Sequence, residues 1–259
     1  MLLRETGFSF NGIHSRNDMG LLYAEKDGHT IIPKIKRNSY EIAGVSGTVL
    51  LDGEQWETIS FEGTLYPAAE RATQAEAQQL LRKVAAWLTA GRCRLIFDYE
   101  PGKYYLAELS AASKWSLENW FGGELPIKFD AQPFAYNLTE NTATASTTGT
   151  ALSLLLNVST GQPAPLMLQV KNTGSAPITG AQIGNAVKLA GMNLTNGQTL
   201  TISMEPPIGA LIGSTNALPY ATTFAPILLQ NGSNAITVQL TYGSGTKSAQ
   251  VTASARGRW

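Results

Sequence analysis

The chain has 259 residues, of which 43% are hydrophobic and 15% are charged, a composition typical of folded globular proteins and not of disordered chains. Its 19 basic and 19 acidic residues cancel, so it lacks the basic surplus that binds nucleic acid regardless of sequence. A single cysteine, Cys93, excludes an internal disulfide framework.

Charge is distributed unevenly along the chain, and this division predicts two domains. Of the 38 charged residues, 31 lie in residues 1–136, where the net charge is −3, and 7 lie beyond, where it is +3. We predict a first domain over residues 1–136, a linker over 137–150 and a second domain over 151–259. The second half has two carboxylates, Glu140 and Glu205, and no His or Cys. Because it is so poor in proton-transfer groups, no enzyme is expected.

The N-terminus gives no sign of export or of membrane insertion. It lacks an apolar stretch of signal-peptide length, and no segment approaches the roughly 20 apolar residues that cross a bilayer. We therefore expect a soluble chain, made in the cytoplasm, with no membrane partner.

In the first domain, residues 30–46 are predicted to form a long polar loop or an arm, and such loops more often carry contacts than core. Strands are predicted at Gly47–Leu51 and Thr58–Leu65, around a turn at Asp52-Gly53. A capping box, Thr73-Gln74-Ala75-Glu76, then begins the one convincing long helix.

The helix carries apolar residues at three- and four-residue spacing as far as Leu88, and Gly91 is its predicted stop. Strands follow at Arg94–Tyr99, Tyr104–Leu109 and Leu125–Phe129. The first two are joined by Pro101-Gly102, a pair suited to a type II turn. The first domain is therefore predicted as α+β, a sheet or split barrel with one helix packed on it.

The second domain shows short stretches in which apolar and polar residues alternate, and no helical pattern. Asn196-Gly197 is a predicted hairpin turn, and after it Leu200, Ile202 and Met204 alternate with Thr and Ser. Half-buried strands with turns at these intervals indicate a β-sandwich, so the whole chain is predicted to be mainly β. Thr and Ser at the outward positions leave a weakly charged surface, which is common where proteins meet other proteins.

Three groups of titratable residues are candidates for chemistry: His14 with Asp18; Glu25 with Asp27 and His29; and Asp98 with Glu100. Metal ligands at the first two spacings need a helix or a tight loop, and no recognised motif is present, so solvated loop residues are favoured. The third pair sits at a hairpin end, where acidic residues are routine, and this disfavours the carboxylate pair of a glycosidase. No metal and no cofactor are expected.

An aromatic group, Trp115, Trp120 and Phe121, precedes Gly122-Gly123, and two interpretations of it stay open. Trp is enriched at interface hot spots, which favours an exposed subunit contact. Large aromatic residues also pack in cores with their indole N–H bonded, which favours a structural role. Replacing Trp120 by Ala separates the two, since only the second role would unfold the chain.

Short motifs in order along the chain resemble those of the distal tail protein (Dit) family of siphophages and prophages of Gram-positive bacteria. The matching segments are Phe8-Ser9-Phe10-Asn11-Gly12-Ile13, Asp18-Met19-Gly20-Leu21, Ala86-Trp87-Leu88, Leu95-Ile96-Phe97, Lys128-Phe129-Asp130, Gly197-Gln198-Thr199-Leu200-Thr201-Ile202 and Leu228-Leu229-Gln230-Asn231-Gly232-Ser233-Asn234. The likeness covers almost the whole chain. At the central turn the family usually has Gly-x-Asp-Gly, where this chain has Gly44-Val45-Ser46-Gly47.

The resemblance implies a ring, typically a homohexamer, at the end of the tail tube in the virion. The N-terminal domains form this ring, and galectin-like or carbohydrate-module-like C-terminal sandwiches point outward. The implied partners are the tail tube protein, a tail-tip or tail-associated lysin-like protein and a receptor-binding protein. DNA passes through the ring without specific binding.

A closed ring joins one face of each subunit to a different face of the next, which calls for exposed strand edges and arms. The polar segment Ile31–Ala43 suits such an arm. We expect Lys34, Lys36 and Arg37 to pair with acidic residues across subunits and not to line the channel, because a basic ring would retain DNA. Trp120 is the fourth candidate interface residue.

A carbohydrate-binding module that recognises host cell-wall polymers is the alternative function. Sugar sites favour exposed aromatic platforms, and the second half has only four aromatic residues. Tyr220 and Tyr242 are the candidates for stacking on a sugar.

Overall fold

The structure is a computed structural model that describes residues 7–26, 33–41, 48–69, 73–111 and 123–259. The chain forms two compact units, Met1–Tyr136 and Asn137–Trp259. Each unit has a hydrophobic core of its own.

In its described residues, the first unit combines β-strands with one long helix, as predicted. Its elements are β1 Phe8–Phe10, β2 Ile13–His14, β3 Leu21–Glu25, β4 Ile35–Glu41, β5 Thr48–Trp56, β6 Ile59–Pro67, α1 Gln74–Leu88, β7 Cys93–Phe97, β8 Lys103–Leu109, β9 Leu125–Ala131 and β10 Tyr136–Asn137. Eight strands form one sheet: seven of them pair antiparallel in the order β2-β1-β7-β8-β9-β6-β3, and the short β10 pairs with β8 beside this path. Strands β4 and β5 pair with each other as a separate two-stranded sheet.

Helix α1 begins and ends as its sequence signals predict. The Thr73 hydroxyl accepts a hydrogen bond of 3.3 Å from the Glu76 amide and so caps the N-terminus. Gly91 follows the last turn with a φ of +79°, a conformation that favours glycine. Five residues of the predicted apolar stripe are buried, Ala77, Leu80, Val84, Trp87 and Leu88, and the sixth, Leu81, is half-buried.

Phe8 lies at the centre of the first core. Its ring stacks on Trp87, with 5.4 Å between centroids, and meets Tyr23 and Phe129 edge-on at 5.2 and 5.5 Å. Strands β1 and β3 lie near opposite ends of the sheet order, so the Phe8–Tyr23 contact requires the sheet to curl on itself. The Trp87 indole N–H also donates to the Phe10 carbonyl at 2.8 Å, which fixes the helix against β1.

The β7–β8 hairpin turns where predicted but with a different turn type. The Lys103 amide donates to the Glu100 carbonyl at 3.1 Å, which makes Pro101 and Gly102 the two central residues. A type II turn needs a positive φ at the second of these, and Gly102 does not have one. The predicted type II turn is therefore wrong.

Two predictions around residues 30–58 are also wrong. Ile35–Glu41 is strand β4, not loop, and its partner β5 runs without a turn through Asp52-Gly53. The pairing steps from Lys36 opposite Gln55 to Asn38 opposite Leu51, so Asp52-Gly53 falls in a bulge. A Gly inside a strand marks a bulge as readily as a turn, and the sequence signal does not separate the two. Residues 30–32 and 42–46 of the predicted loop lie outside the described residues.

The second unit is a sandwich of two antiparallel sheets, as predicted. Its elements are β11 Asn141–Thr147, β12 Ala151–Val158, β13 Ala164–Asn172, β14 Ile178–Ile183, β15 Val187–Leu194, β16 Thr199–Ser203, β17 Gly209–Ile212, β18 Thr215–Asn216, the 3-10 helix Leu218–Tyr220, β19 Ala221–Phe224, β20 Leu228–Leu229, β21 Gly232–Tyr242 and β22 Ala249–Ala255. One sheet has the order β11-β22-β13-β16-β17-β18, with β20 beside β13. The other has the order β12-β21-β14-β15-β19.

The sandwich core is built by alternation. Leu166, Leu168 and Val170 face inward from one sheet, and Ile236 and Val238 face them from the other. The predicted turn at Asn196-Gly197 is present, with a Gly197 φ of +81°. It joins β15 to β16, which belong to different sheets, so it is not the hairpin turn that was predicted.

The predicted linker over 137–150 is wrong. Strand β11 pairs residue by residue with Ala249–Ala255 and forms an edge of the larger sheet. Ala143 and Ala145 pack against the core, and the alternate residues are exposed Thr and Ser. These small inward side chains remove the bulky apolar signal by which a strand is recognised in the sequence.

Replacing Phe8 by Ala is expected to lower the free energy of unfolding of the first unit by about 3–5 kcal/mol, because its fully buried ring contacts helix α1 and strands β3 and β9. Urea unfolding followed by tryptophan fluorescence measures this change. The control is Gln78→Ala, at an exposed side chain of helix α1 in the same unit, with an expected change within about 0.5 kcal/mol. Equal midpoints for both variants would contradict the central role of Phe8.

Candidate functional site

The β4–β5 hairpin carries the predicted basic interface residues. Lys34 and Lys36 are exposed, and within the described residues neither makes an ion pair. They are two residues apart, so alternation places them on one face, opposite Ile35, which is 39% exposed. The third residue, Arg37, lies in β4, and its side chain is outside what the structure describes. Trp115, Trp120 and Phe121 also lie outside the described residues.

The base of the hairpin is anchored to the first unit. The Glu57 amide donates to the Lys34 carbonyl at 2.8 Å, which closes the open end of the hairpin. The Trp56 ring lies edge-on to buried Phe134, with 5.8 Å between centroids. These contacts fix the hairpin where it leaves the body of the unit, so the two lysines have a defined position.

His14, Asp18 and Asp98 lie close together in the structure, where their hydrogen bonds hold the backbone of the surrounding loop. His14 Nδ1 accepts hydrogen bonds from the amides of Arg16 and Asn17 at 3.1 and 3.2 Å. The ring proton therefore lies on Nε2, which donates to Asp98 Oδ1 at 3.0 Å. With both ring nitrogens engaged, the imidazole has no lone pair left for a metal.

The carboxylates of this region have structural partners as well. Asp98 accepts from the Gly7 amide at 2.9 Å, and Asp18 accepts from the His14 amide at 2.7 Å. Glu100 pairs with Lys103 at 2.9 Å and accepts from the Tyr105 hydroxyl at 3.2 Å. Among the described residues, no three His, Cys, Asp or Glu side chains are arranged to hold a metal ion. Asp27 and His29 lie outside the described residues.

Both carboxylates of the second unit lie near Arg256. The guanidinium is 3.7 Å from Glu140 and also donates to the carbonyls of Asn137 and Leu138. Burial raises the pKa of Glu205, and the charge of Glu140 adds to this, while Arg256 and Arg258 oppose it. The outer faces of both sheets are consequently free of carboxylates and carry lysine as their only charged residue type.

Tyr220 and Tyr242, the predicted sugar contacts, do not form one platform. Tyr220 is 39% exposed and precedes Ala221, which pairs with Leu189 of β15. Tyr242 pairs with Ile178, and Ile178 pairs with Leu194 at the other end of β15. The Tyr242 hydroxyl is buried without a hydrogen-bond partner, and burial raises its pKa.

The outer face of the five-stranded sheet contains a depression of about 360 Å³ that the patterns in the sequence did not predict. One in-register row across β21, β14 and β15 has long polar side chains: Gln239, Gln182 and Lys188. The next row on the same face has small ones: Thr241, Gly180 and Ala190. The strand β14 bulges between Ile178 and Gly180. The one signal of it in the sequence is Gly180, because an isolated Gly within a strand indicates a bulge or a close approach of the backbone.

The fold of the chain is that of solved phage tail proteins over nearly its full length. The SPP1 Dit protein, described as a paradigm of the hub adsorption apparatus in Gram-positive infecting phages, matches with a TM-score of 0.68 and 14% identity, over 98% of this chain and 99% of that one. A chain of the phage p2 baseplate matches with a TM-score of 0.52 and 10% identity, over 96% and 97%. The predicted Dit likeness is therefore confirmed at the level of the fold.

No protein-family model matches the sequence, and no curated protein sequence matches it either. In the part of the chain that the structure describes, no helix is both long enough and apolar enough to cross a membrane.

Glu205→Gln is expected to stabilise the second unit at pH 7. The folded state holds the Glu205 proton more tightly than the unfolded state, so the stability of the unchanged chain falls as pH rises above the usual value of 4.5. The variant lacks this loss, and its advantage disappears below pH 4.5. Hydrogen exchange of β22 peptides between pH 4 and 8 measures the difference.

Glu140→Gln is the control, because this carboxylate is more exposed and pairs with Arg256. It is expected to give no stabilisation at pH 7. A Glu205→Gln variant less stable than the unchanged chain at pH 7 would mean that attraction to Arg256 outweighs burial.

Proposed function

We propose that the chain is a structural virion protein, a distal tail hub whose copies close into a ring between the tail tube and the tail tip. The observation that supports this proposal most strongly is the fold match to the SPP1 Dit hub protein over 98% of this chain. The match spans both units in one order, which favours a shared architecture over the chance likeness of one common domain. The proposed role involves no catalytic step.

The β4–β5 hairpin supports a ring made by one face of each copy meeting a different face of the next. It is a separate two-stranded sheet on an anchored base, and Lys34 and Lys36 are exposed without partners in the described part of the chain. The first 136 residues have a net charge of −3, so neighbouring copies offer acidic partners for these lysines. The same negative charge suits a passage that DNA crosses without being retained.

The sandwich is the proposed docking platform for receptor-binding and baseplate components. Ile208, Leu211, Leu218 and Tyr220 are exposed, and all four lie in or beside the segment formed by β17, β18 and the 3-10 helix. The Ala217 amide donates to the Ala210 carbonyl at 2.8 Å, which holds the 3-10 helix beside the start of β17. Exposed apolar side chains that gather on one segment are typical of protein-contacting surfaces.

The ring is tested by the mass of the full chain in solution, measured by light scattering across a concentration series. A single closed species, with a mass that is a fixed multiple of 27.7 kDa, is expected. In Lys34→Glu/Lys36→Glu, the half-assembly concentration is expected to rise at least about tenfold, because two attractions per interface become repulsions. Hydrogen exchange within each copy should not change.

The matched control is Lys171→Glu/Lys247→Glu, which changes charge equally at two exposed lysines of the sandwich. This variant is expected to assemble like the unchanged chain. If assembly were weakened equally in both variants, the effect would come from net charge, and the hairpin would have no specific role at the interface. A two-fold dimer as the largest species would overturn the ring itself.

A further inference from the structure

We propose that the depression on the five-stranded sheet binds an anionic polyhydroxylated ligand, an acidic or phosphorylated sugar being the class that fits. Its wall is the row Gln239, Gln182 and Lys188, and its floor is Gly180. The site lies on the sandwich face and is independent of the proposed ring, so either proposal can fail without the other.

The depression offers unused hydrogen-bonding groups on three adjacent strands. Among the described residues, the Gln239 amide, the Thr241 hydroxyl and the Lys188 ammonium have no protein partner. The Gln182 side-chain N–H donates to the Gly184 carbonyl at 3.0 Å, which orients the amide and leaves its oxygen as an acceptor. Sugar hydroxyls both donate and accept, and this mixture of amide, hydroxyl and ammonium groups complements them.

The charge at the site selects for an anion. Lys188 is the only charged residue that lines the depression, and both carboxylates of the unit lie near Arg256. Adjacent strands are about 4.8 Å apart, so the three wall side chains span about 10 Å. This span accommodates one sugar ring together with an anionic substituent that reaches Lys188.

Gly180 keeps the floor of the depression low. A Cβ atom at this position would lie 3.1 Å from the Leu189 carbonyl oxygen and 3.3 Å from the Thr241 hydroxyl oxygen, tighter than ordinary packing. Glycine therefore allows β14 to lie close to its neighbours beneath the polar wall. The ten lining residues include no aromatic side chain, so recognition is polar and weak per site. A ring that repeats the site on every copy would raise the avidity.

The test uses the full chain and three probes, glucose 6-phosphate, glucuronate and glucose, in saturation-transfer NMR titrations. Both anionic sugars are expected to bind saturably, and glucose at least about fivefold more weakly. Lys188→Gln should weaken the anionic sugars roughly tenfold and abolish the preference over glucose. Gln239→Ala should weaken all three probes, since it removes a contact to hydroxyls.

Lys171→Gln is the control, an exposed lysine on the other sheet, and it should leave every titration unchanged. Saturable binding of either anionic sugar supports the site if it is weakened in Lys188→Gln. The difference between the two affinities shows whether the site prefers a phosphate or a carboxylate group. Absence of saturable binding, equal binding of glucose, or equal losses in Lys188→Gln and Lys171→Gln would each overturn it.

Discussion

The packing of Phe8 is the interaction on which the first unit depends. Its ring touches Trp87 of the helix, Tyr23 near one end of the sheet order and Phe129 from the middle, and it is fully buried. A single side chain thereby joins the helix to a sheet that has curled on itself. Such a core gives every copy the same shape. Identical shape is what a closed ring requires, because a small error in the angle of one interface is repeated at each step around the axis.

The second unit depends instead on how its few charges are placed. Glu140 and Glu205 lie near Arg256, so the outward residues of both sheets are uncharged side chains and Lys, without any carboxylate. Polar surfaces of this kind cost little to desolvate compared with charged ones and suit docking of other molecules. The two units therefore have different proposed roles. The first unit, with its tightly packed core and its hairpin, mediates self-assembly, and the weakly charged sandwich contacts other molecules.

Much of the fold could be predicted because periodicity is a local signal. The helix from its Thr73 cap to Leu88 and the alternating strands of the sandwich follow directly from side-chain spacing. The misread segments are those where a local signal has two meanings. Asp52-Gly53 marks a bulge and not a turn, and the small residues of β11 resemble a linker. The depression depends on register between β21, β14 and β15, which only long-range pairing decides, so the sequence pointed to Tyr220 and Tyr242 instead.

Averaged electron micrographs of the purified chain are the sharpest test of the proposed ring, since they show symmetry and an opening together. We predict cyclic particles with a central hole that the first units enclose. Particles made of two-fold pairs of first units with no opening between them would contradict it.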